Sequence, residues 1–309
     1  MIKTDTEPET VGPLQISKYR SEDGELTVSN YRSENGLMIV FHDSTISSYS
    51  NSNHGDEFNG LLLNMYILGS ARRTSSSYSG ERMAGCANIA RPWTSFVNFE
   101  TASKRVVSVS IVTLMNDYKL NLYTDESDKV LGSLMERYLN DGIQIALSDL
   151  AMAYCYALYR LHMESRLNFE DALVNDLVTG LLLELYSNDQ RVIVSESYKD
   201  HVIADNIFVD LLSKPMVIDR DCFDEIYEEY GISKYKGIRL FKKRYGMTPY
   251  SYFKRTRLQM AAALLLTGDT SIQVVASRVG YASESKFAMA FKEQYGVRPK
   301  HFLSHLKEL

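Results

Sequence analysis

Hydrophobic positions in the carboxyl-terminal third of the chain recur every three or four residues, the spacing of an amphipathic α-helix. Residues 272–279 place their apolar side chains on one helical face, with Ser271 before them as an N-cap and Gly280 after them as a terminator. A second helix is predicted over 283–295, and Gly296 ends it. The pattern predicts a helix, a tight turn and a second helix, which together form a helix-turn-helix unit.

The same unit occurs again fifty residues earlier in the chain. Residues 241–249 read FKKRYGMTP and residues 291–299 read FKEQYGVRP, with Phe, Lys, Tyr, Gly and Pro at matching positions. In the earlier copy, Gly231 is predicted to make the turn and Ser233 to cap the second helix. The sequence therefore predicts two copies of one supersecondary unit.

A single helix is predicted to join the two copies, from Pro249 at its first turn to about Leu266. With a rise of 1.5 Å per residue, this helix is about 27 Å long. Its apolar stripe is expected to face both units, and Lys254, Arg255 and Arg257 are expected to face outward. Such a spacer can hold two helices in successive major grooves of DNA, which recur about every 34 Å on one side of the duplex.

The first two thirds of the chain show different patterns. Apolar residues alternate with serines over 107–111, and residues 58–68 are rich in Leu, Tyr and Ile, so residues 1–125 are predicted to be β-rich. Residues 130–186 are predicted to be helical. This helical part contains four apolar residues at coiled-coil spacing, which pair two subunits or pack against their own domain. These four are Val174, Val178, Leu181 and Leu185.

Charge is distributed unevenly along the 309 residues, whose net charge is -5. Residues 232–309 contain 15 Lys and Arg against 4 Asp and Glu, a net charge of +11, whereas residues 1–201 have a net charge of -10. The length and the 45% hydrophobic content fit two globular domains. The basic segment is typical of a domain that binds a polyanion, and the alternative is a solvated basic face with no partner.

Other classes of protein are disfavoured by the composition. No apolar run approaches the roughly 20 residues of a membrane-spanning helix, and the polar start of the chain does not resemble a secretory signal. Cys86, Cys155 and Cys222 lie far apart, which argues against disulfides and zinc and indicates a cytoplasmic location. His42 and His54, the histidines before residue 160, are twelve residues apart, so neither a metal site nor a cofactor is expected.

The carboxyl-terminal pattern resembles the AraC/XylS family of bacterial transcription regulators. The resemblance covers about 203–302, and its most specific part is GYxSxSxFxxxFKxxYGVxP over 280–299. It implies an α+β protein with a sensing and dimerising domain over 1–190, built as a cupin-like β-barrel followed by a helical dimerisation segment. An all-α DNA-binding domain with two helix-turn-helix units would follow over 200–309.

The resemblance also implies roles for side chains on the two recognition helices. Residues expected to face base edges are Tyr235, Ile238, Arg239, Glu284, Ser285 and Met289. Residues expected to hold phosphates are Ser233, Lys236, Lys242, Lys243, Ser271, Lys286 and Lys292. Arg239 is expected to read guanine, because its planar fork can donate to both O6 and N7. The alternative for the lysines is ordinary solvation.

Two positions depart from the family's pattern. Gly237 stands where relatives have a buried leucine, so an apolar gap is expected beside the first recognition helix. Met289 stands where relatives often have arginine, and a thioether cannot donate a hydrogen bond. The second unit is therefore expected to read bases weakly and to contribute backbone affinity and shape recognition.

The favoured function is a DNA-binding activator that places RNA polymerase at a promoter and responds to an effector in the amino-terminal domain. Candidate pocket residues are Tyr66, Trp93 and Phe96, whose alternative role is core packing. A regulator controlled by a partner protein or by its abundance remains open. An enzyme fused to this module is disfavoured, because the Pro-Cys-His-Arg context of the alkyl-transfer repair proteins is missing and no catalytic residue is evident.

A narrower resemblance concerns residues 57–115, which are similar to regulators of siderophore uptake within the family, and Lys236 fits their recognition helix. It implies that an iron chelate is the effector.

Overall fold

The structure is a computed structural model that divides the chain into two compact units, each treated by itself below. The N-terminal unit comprises Met1–Leu147 and Leu158–Glu196, and the C-terminal unit comprises Ser148–Ala157 and Ser197–Leu309. The residues described are 3–4, 8–11, 14–33, 37–51, 60–74, 79–90, 97–101, 103–114, 127–138, 144–164, 171–187, 192–193, 202–214, 216, 221–268 and 271–308.

The N-terminal unit is rich in strands, as the sequence predicts. They are β1 Lys3–Thr4, β2 Glu9–Val11, β3 Leu14–Ser21, β4 Gly24–Arg32, β5 Leu37–Ser44, β6 Ser48–Asn51, β7 Gly60–Leu68, β8 Ser70–Thr74, β9 Ser79–Met83, β10 Cys86–Ala90, β11 Val97–Thr101, β12 Val106–Leu114, β13 Gln144–Ala146 and β14 Val192–Ile193. Together with the helical C-terminal unit, these strands confirm the α+β class.

The strands form two antiparallel sheets rather than one closed barrel. The larger sheet has the order β1-β3-β4-β5-β12-β7-β10-β13-β14, with β2 paired to β3, and the smaller has the order β6-β11-β8-β9. Within the residues the structure describes, no ladder joins the end strands of either sheet. The predicted cupin-like, β-rich fold class is confirmed, but the barrel is not closed among the described residues, because the strands divide between two separate sheets.

Strand β12 lies at the centre of the larger sheet, between β5 and β7. Val109 and Ile111 are fully buried, as the alternation predicts. The serines on the opposite face are also buried, with Ser108 5% and Ser110 6% exposed, so the strand is covered on both faces rather than one. Ser110 compensates by donating a hydrogen bond to Asn64 Oδ1 at 2.6 Å.

The helices extend from the middle of the chain to its end. They are α1 Ser127–Tyr138, α2 Asp149–Met163, α3 Asp171–Ser187, α4 Val202–Ser213, α5 Asp221–Glu229, α6 Lys234–Tyr245, α7 Pro249–Leu266, α8 Ile272–Arg278, α9 Glu284–Tyr295 and α10 Phe302–Leu306, with a 3-10 turn at Pro299–His301. None of the helices described is long and apolar enough to cross a bilayer.

The apolar seam of α3 is buried within the N-terminal unit. Its four residues, Val174, Val178, Leu181 and Leu185, are each 0% exposed. Between the two alternatives for this seam, the structure supports packing within the unit, because a second subunit could reach these side chains only by unpacking the core. Dimerisation through these residues is not supported.

The C-terminal unit contains two helix-turn-helix units related by the predicted offset of fifty residues. The first is α5 with α6, and the second is α8 with α9. Helices α6 and α9 have twelve residues each; Ser233 and Ser283 cap their first turns, and Gly246 and Gly296 end them in the left-handed conformation. The sequence repeat is thus also a repeat of backbone geometry.

Each copy also contains a triplet of packed aromatic rings. The ring centroids of Phe241, Tyr245 and Tyr252 are 4.5 to 5.7 Å apart. The corresponding rings of Phe291, Tyr295 and Phe302 are 4.7 to 5.3 Å apart. These aromatic contacts pack the last turns of α6 and α9 against the segment that follows each helix.

The joining helix α7 has the predicted bounds and a largely buried apolar face. Its basic residues do not all face outward as expected. Arg255 Nε donates to Asp149 Oδ1 at 2.5 Å, and Gln259 Nε2 donates to the same oxygen at 2.7 Å. Arg257 is half-buried as well. Arg255 does not face outward because residues 148–157, which include the first turns of α2, belong to the C-terminal unit. Arg257 is half-buried because it contacts Val279 and Tyr281.

Candidate nucleic-acid interface

Helix α6 presents the first predicted reading face. Tyr235 is 76% exposed, Arg239 is exposed and Ile238 is half-buried. These three residues lie within four positions of one another, so one turn of the helix displays an aromatic ring, an aliphatic chain and a guanidinium together. This combination can contact both polar and methyl groups on base edges.

Helix α9 presents the second face, with Glu284, Ser285 and Met289 all exposed. Met289 is 72% exposed and is one of several large apolar side chains at the surface of the C-terminal unit. Its thioether can contact a thymine methyl group but cannot donate a hydrogen bond. The face is less basic than that of α6.

The predicted phosphate-binding residues flank these faces and are all exposed: Ser233, Lys236, Lys242, Lys243, Ser271, Lys286 and Lys292. Ser233 accepts a hydrogen bond from the backbone N–H of Lys236 at 3.3 Å, and Ser271 accepts one from that of Val274 at 3.4 Å. Ser233 and Ser271 therefore cap the N-termini of α6 and α8, where backbone N–H groups favour an anion.

Part of the positive charge is unavailable to DNA. The Arg244 side chain is 4% exposed and donates from Nε and Nη2 to the two carboxylate oxygens of Asp205, each at 2.9 Å. Tyr245 OH donates to the same carboxylate at 2.5 Å. Asp205 is fully buried on α4, so the pair joins α4 to the last turn of α6.

Asp205 was not predicted as a functional residue, although the sequence contains a signal for it. The other buried residues of α4 are all apolar: Ala204, Ile207, Phe208, Val209 and Leu211. An acidic residue on the apolar face of a helix requires a buried partner, because an isolated buried charge is too costly.

The space beside Gly237 is filled, which corrects the predicted apolar gap. Gly237 is buried on α6, and a Cβ atom built there would lie 2.4 Å from Cδ1 and Cε1 of Tyr227. Tyr227 is 3% exposed, and burial raises the pKa of its phenol to about 12, with a smaller effect from Asp224. The tyrosine of α5 thus occupies the volume that a leucine of α6 would fill.

The N-terminal unit contains a small cavity of about 20 Å³, which is room for about one water molecule. It is lined by His42, Ser44, Tyr49, Tyr66, Ala71, Phe99, Thr101, Val106 and Ser108. Tyr66 belongs to the predicted pocket, whereas the predicted Trp93 and Phe96 lie outside the described residues. The rings of Tyr49 and Phe99 stack at 4.8 Å, and His42 meets Tyr49 edge-on at 6.4 Å.

The polar groups of this cavity are uncharged at neutral pH. Burial lowers the pKa of His42 to about 4 and raises the pKa of both Tyr49 and Tyr66 above the ordinary tyrosine value. Ser44 is 3% exposed, and its Oγ has no hydrogen-bond partner among the described residues. The wall therefore offers neutral donors and acceptors beside aromatic rings.

Among the residues that the structure describes, no group of three or more His, Cys, Asp or Glu side chains is placed to hold a metal ion.

The sequence of the C-terminal unit is similar to that of known helix-turn-helix proteins. Residues 226–305 match the family described as a helix-turn-helix domain. The regulator AlkR of Acinetobacter baylyi is 37% identical over 79 residues, 26% of each chain. The regulator MtrA of Neisseria gonorrhoeae is 26% identical over 171 residues, 53% of this chain and 56% of that protein. The chain thus matches from a quarter to about half of the length of these relatives.

Solved structures give a weaker likeness over a longer span. ToxT of Vibrio cholerae has a TM-score of 0.33 and 16% identity over 89% of this chain and 100% of that chain. The AraC-like transcriptional activator CuxR has a TM-score of 0.35 and 14% identity over 82% of this chain and 88% of that chain. The matched helix-turn-helix domain covers most of both units of the carboxyl-terminal repeat, over residues 226–305.

Proposed function

We propose that the chain is a sequence-specific DNA-binding transcription regulator that inserts α6 and α9 into successive major grooves. The observation that carries this proposal is the exact duplication of a capped twelve-residue helix on either side of the eighteen-residue helix α7. Exposed residues on both helices, and a net charge of +11 over 232–309, fit a surface that faces DNA.

In this proposal the two helices contribute differently. Arg239 reads a base directly, and Tyr235 and Ile238 contact neighbouring base edges. Helix α9 contributes apolar contact through Met289 and phosphate contacts through Lys286 and Lys292, which position the protein without reading sequence.

Removal of Arg239 and removal of Lys242 are expected to have different effects on DNA binding. Arg239→Ala should cost about 1 to 3 kcal/mol at one base pair and relax the preference there, because a bidentate contact to guanine is lost. Lys242→Ala should weaken specific and random duplexes alike and reduce the slope of log K against log salt by about one. Both effects are measurable by fluorescence anisotropy with duplexes that the full chain selects from a random library.

Lys307, which is exposed near the end of the chain, provides the matched control. Lys307→Ala removes one charge from a residue outside both recognition helices and should leave the salt slope within error of the starting protein. If Arg239→Ala and Lys242→Ala alter specific and random DNA equally, the division of roles is wrong.

We further propose that the regulator is an activator that contacts RNA polymerase and that a small molecule in the N-terminal cavity controls it. The uncharged polar wall of the cavity favours an uncharged ligand with hydrogen-bonding groups. Such a ligand must widen the cavity by separating the rings of Tyr49 and Phe99, which stack on each other at 4.8 Å. Control by a partner protein is the competing proposal, and it requires no occupant of the cavity.

A ligand for the cavity is expected to raise the melting temperature of the full chain. At 100 times its Kd, a ligand that binds only the folded state adds about 2.7 kcal/mol of stability. Screening small neutral aromatics and ferric siderophores by thermal shift tests both the cavity and the iron-chelate prediction. His42→Leu should abolish a shift that arises in the cavity, and a shift that survives this substitution would place the ligand elsewhere.

A further inference from the structure

The turn of the second helix-turn-helix unit is held by residues from outside that unit. Arg257, on the joining helix α7, donates from Nε to the backbone carbonyl of Val279 at 2.5 Å. Val279 is the C-cap of α8, so its carbonyl is one of those that the helix itself leaves without a partner. The arginine therefore completes the end of α8 from a separate helix.

The same guanidinium also contacts the residue that leads into the recognition helix. Its Cζ lies 4.4 Å from the ring centroid of Tyr281 and 5.8 Å from that of Phe253. The Tyr281 ring in turn packs edge-on against Phe287 at 5.5 Å, and Phe287 is a fully buried residue of α9. A continuous series of contacts thus extends from α7 through the turn to the recognition helix.

Gly280, the glycine of the α8–α9 turn, lies close to the backbone of Met216. Gly280 has a φ of +75°, and a Cβ built there would lie 2.3 Å from the backbone oxygen of Met216. Met216 precedes α5, so the backbone before the first helix-turn-helix unit touches the turn of the second. Position 280 therefore lies between Met216 and Arg257, with no room for a side chain.

We propose that Arg257 is a positioning residue that sets the separation of the two recognition helices, and hence the spacing of DNA half-sites that the chain accepts. This inference rests on the proposed DNA-binding function. Arg257 is half-buried against aromatic rings and is not displayed beside the exposed reading faces. It acts through Tyr281 and the α8–α9 turn.

The test uses the full chain and duplexes recovered by selection from a random library. The preferred duplex is resynthesised with one base pair inserted or deleted between its half-sites, and a further duplex keeps only the first half-site. For Arg257→Met we expect about tenfold weaker binding at the preferred spacing, because a charge-assisted hydrogen bond and a stacking contact are lost. Preference among the three spacings should largely disappear, and binding to the single half-site should stay within about twofold.

Three further variants separate positioning from loss of charge and from loss of folding. Lys254→Ala removes a charge from the same helix, where Lys254 makes only an exposed contact of 3.5 Å to Glu293, and should keep the spacing preference. Arg257→Lys keeps the charge without the planar group and should lose most of the preference. Tyr281→Leu keeps the bond to Val279 and should broaden the preference even if Arg257→Met fails to fold.

A uniform loss of affinity at all spacings in Arg257→Met and Tyr281→Leu, with the preference intact, would overturn the positioning role. So would unchanged binding in folded variants. Failure of the unsubstituted chain to select any duplex would instead refute the proposed function itself, so the two failures are distinguishable.

Discussion

Replacing Asp205 with alanine is expected to lower the free energy of unfolding of the C-terminal unit by about 3 to 5 kcal/mol. The carboxylate is 0% exposed and accepts hydrogen bonds from both Arg244 and Tyr245. Its removal leaves the Arg244 guanidinium buried without its counter-charge, which costs more than the pair itself contributes. Urea and thermal unfolding of the full chain, followed by circular dichroism, measure the loss.

A surface pair on the same unit is the control for this substitution. Asp224 and Lys234 form an ion pair at 2.8 Å with side chains 46% and 57% exposed, so Asp224→Ala should cost no more than about 1 kcal/mol. The double variant Asp205→Ala/Arg244→Leu should recover part of the stability, because no unpaired charge remains. If Asp205→Ala and Asp224→Ala lower the free energy of unfolding by the same small amount, the buried ion pair does not stabilise the packing of α4 on α6.

The second large effect is expected at the contact between Gly237 and Tyr227. Gly237→Leu should lower the free energy of unfolding by about 3 kcal/mol, because the new side chain would overlap a ring 2.4 Å from its Cβ. Shortening the tyrosine should relieve that overlap, so Gly237→Leu combined with Tyr227→Ala should be more stable than Gly237→Leu alone. Unfolding of the four forms in a double-mutant cycle tests this coupling.

If the changes in the free energy of unfolding caused by Gly237→Leu and Tyr227→Ala simply add, the idea that Tyr227 of α5 fills the space of a missing leucine on α6 is wrong. A large favourable coupling would confirm that Tyr227 fills the place of the missing leucine. Tyr227→Ala alone supplies the reference, since it opens a cavity beside an unaltered glycine.

The sequence was sufficient for the parts of the fold that depend on local signals. Serine caps, left-handed glycines and apolar spacing determined both helix-turn-helix units, because each signal acts within a few residues of its position. The bounds of α7 followed from Pro249 in the same way. The residues of the reading faces came from the family resemblance, and their exposure agrees with that prediction except at Ile238, which is half-buried.

Contacts between distant segments were beyond the sequence argument. Nothing local indicates that Asp149 accepts a hydrogen bond from Arg255, more than one hundred residues away, or that Arg257 caps α8. The gap expected at Gly237 was wrong because its occupant, Tyr227, comes from another helix. The open edges of the two sheets could not be predicted either, because strand patterns predict strands but not which of them pair to close a barrel.

Hydroxyl-radical footprinting of the full chain on a duplex it has selected tests the central claim most directly. Two recognition helices held by α7 should protect two segments on one face of the duplex, about 34 Å or one helical turn apart. Protection of a single segment, or no protection of any duplex even in dilute salt, would contradict the account.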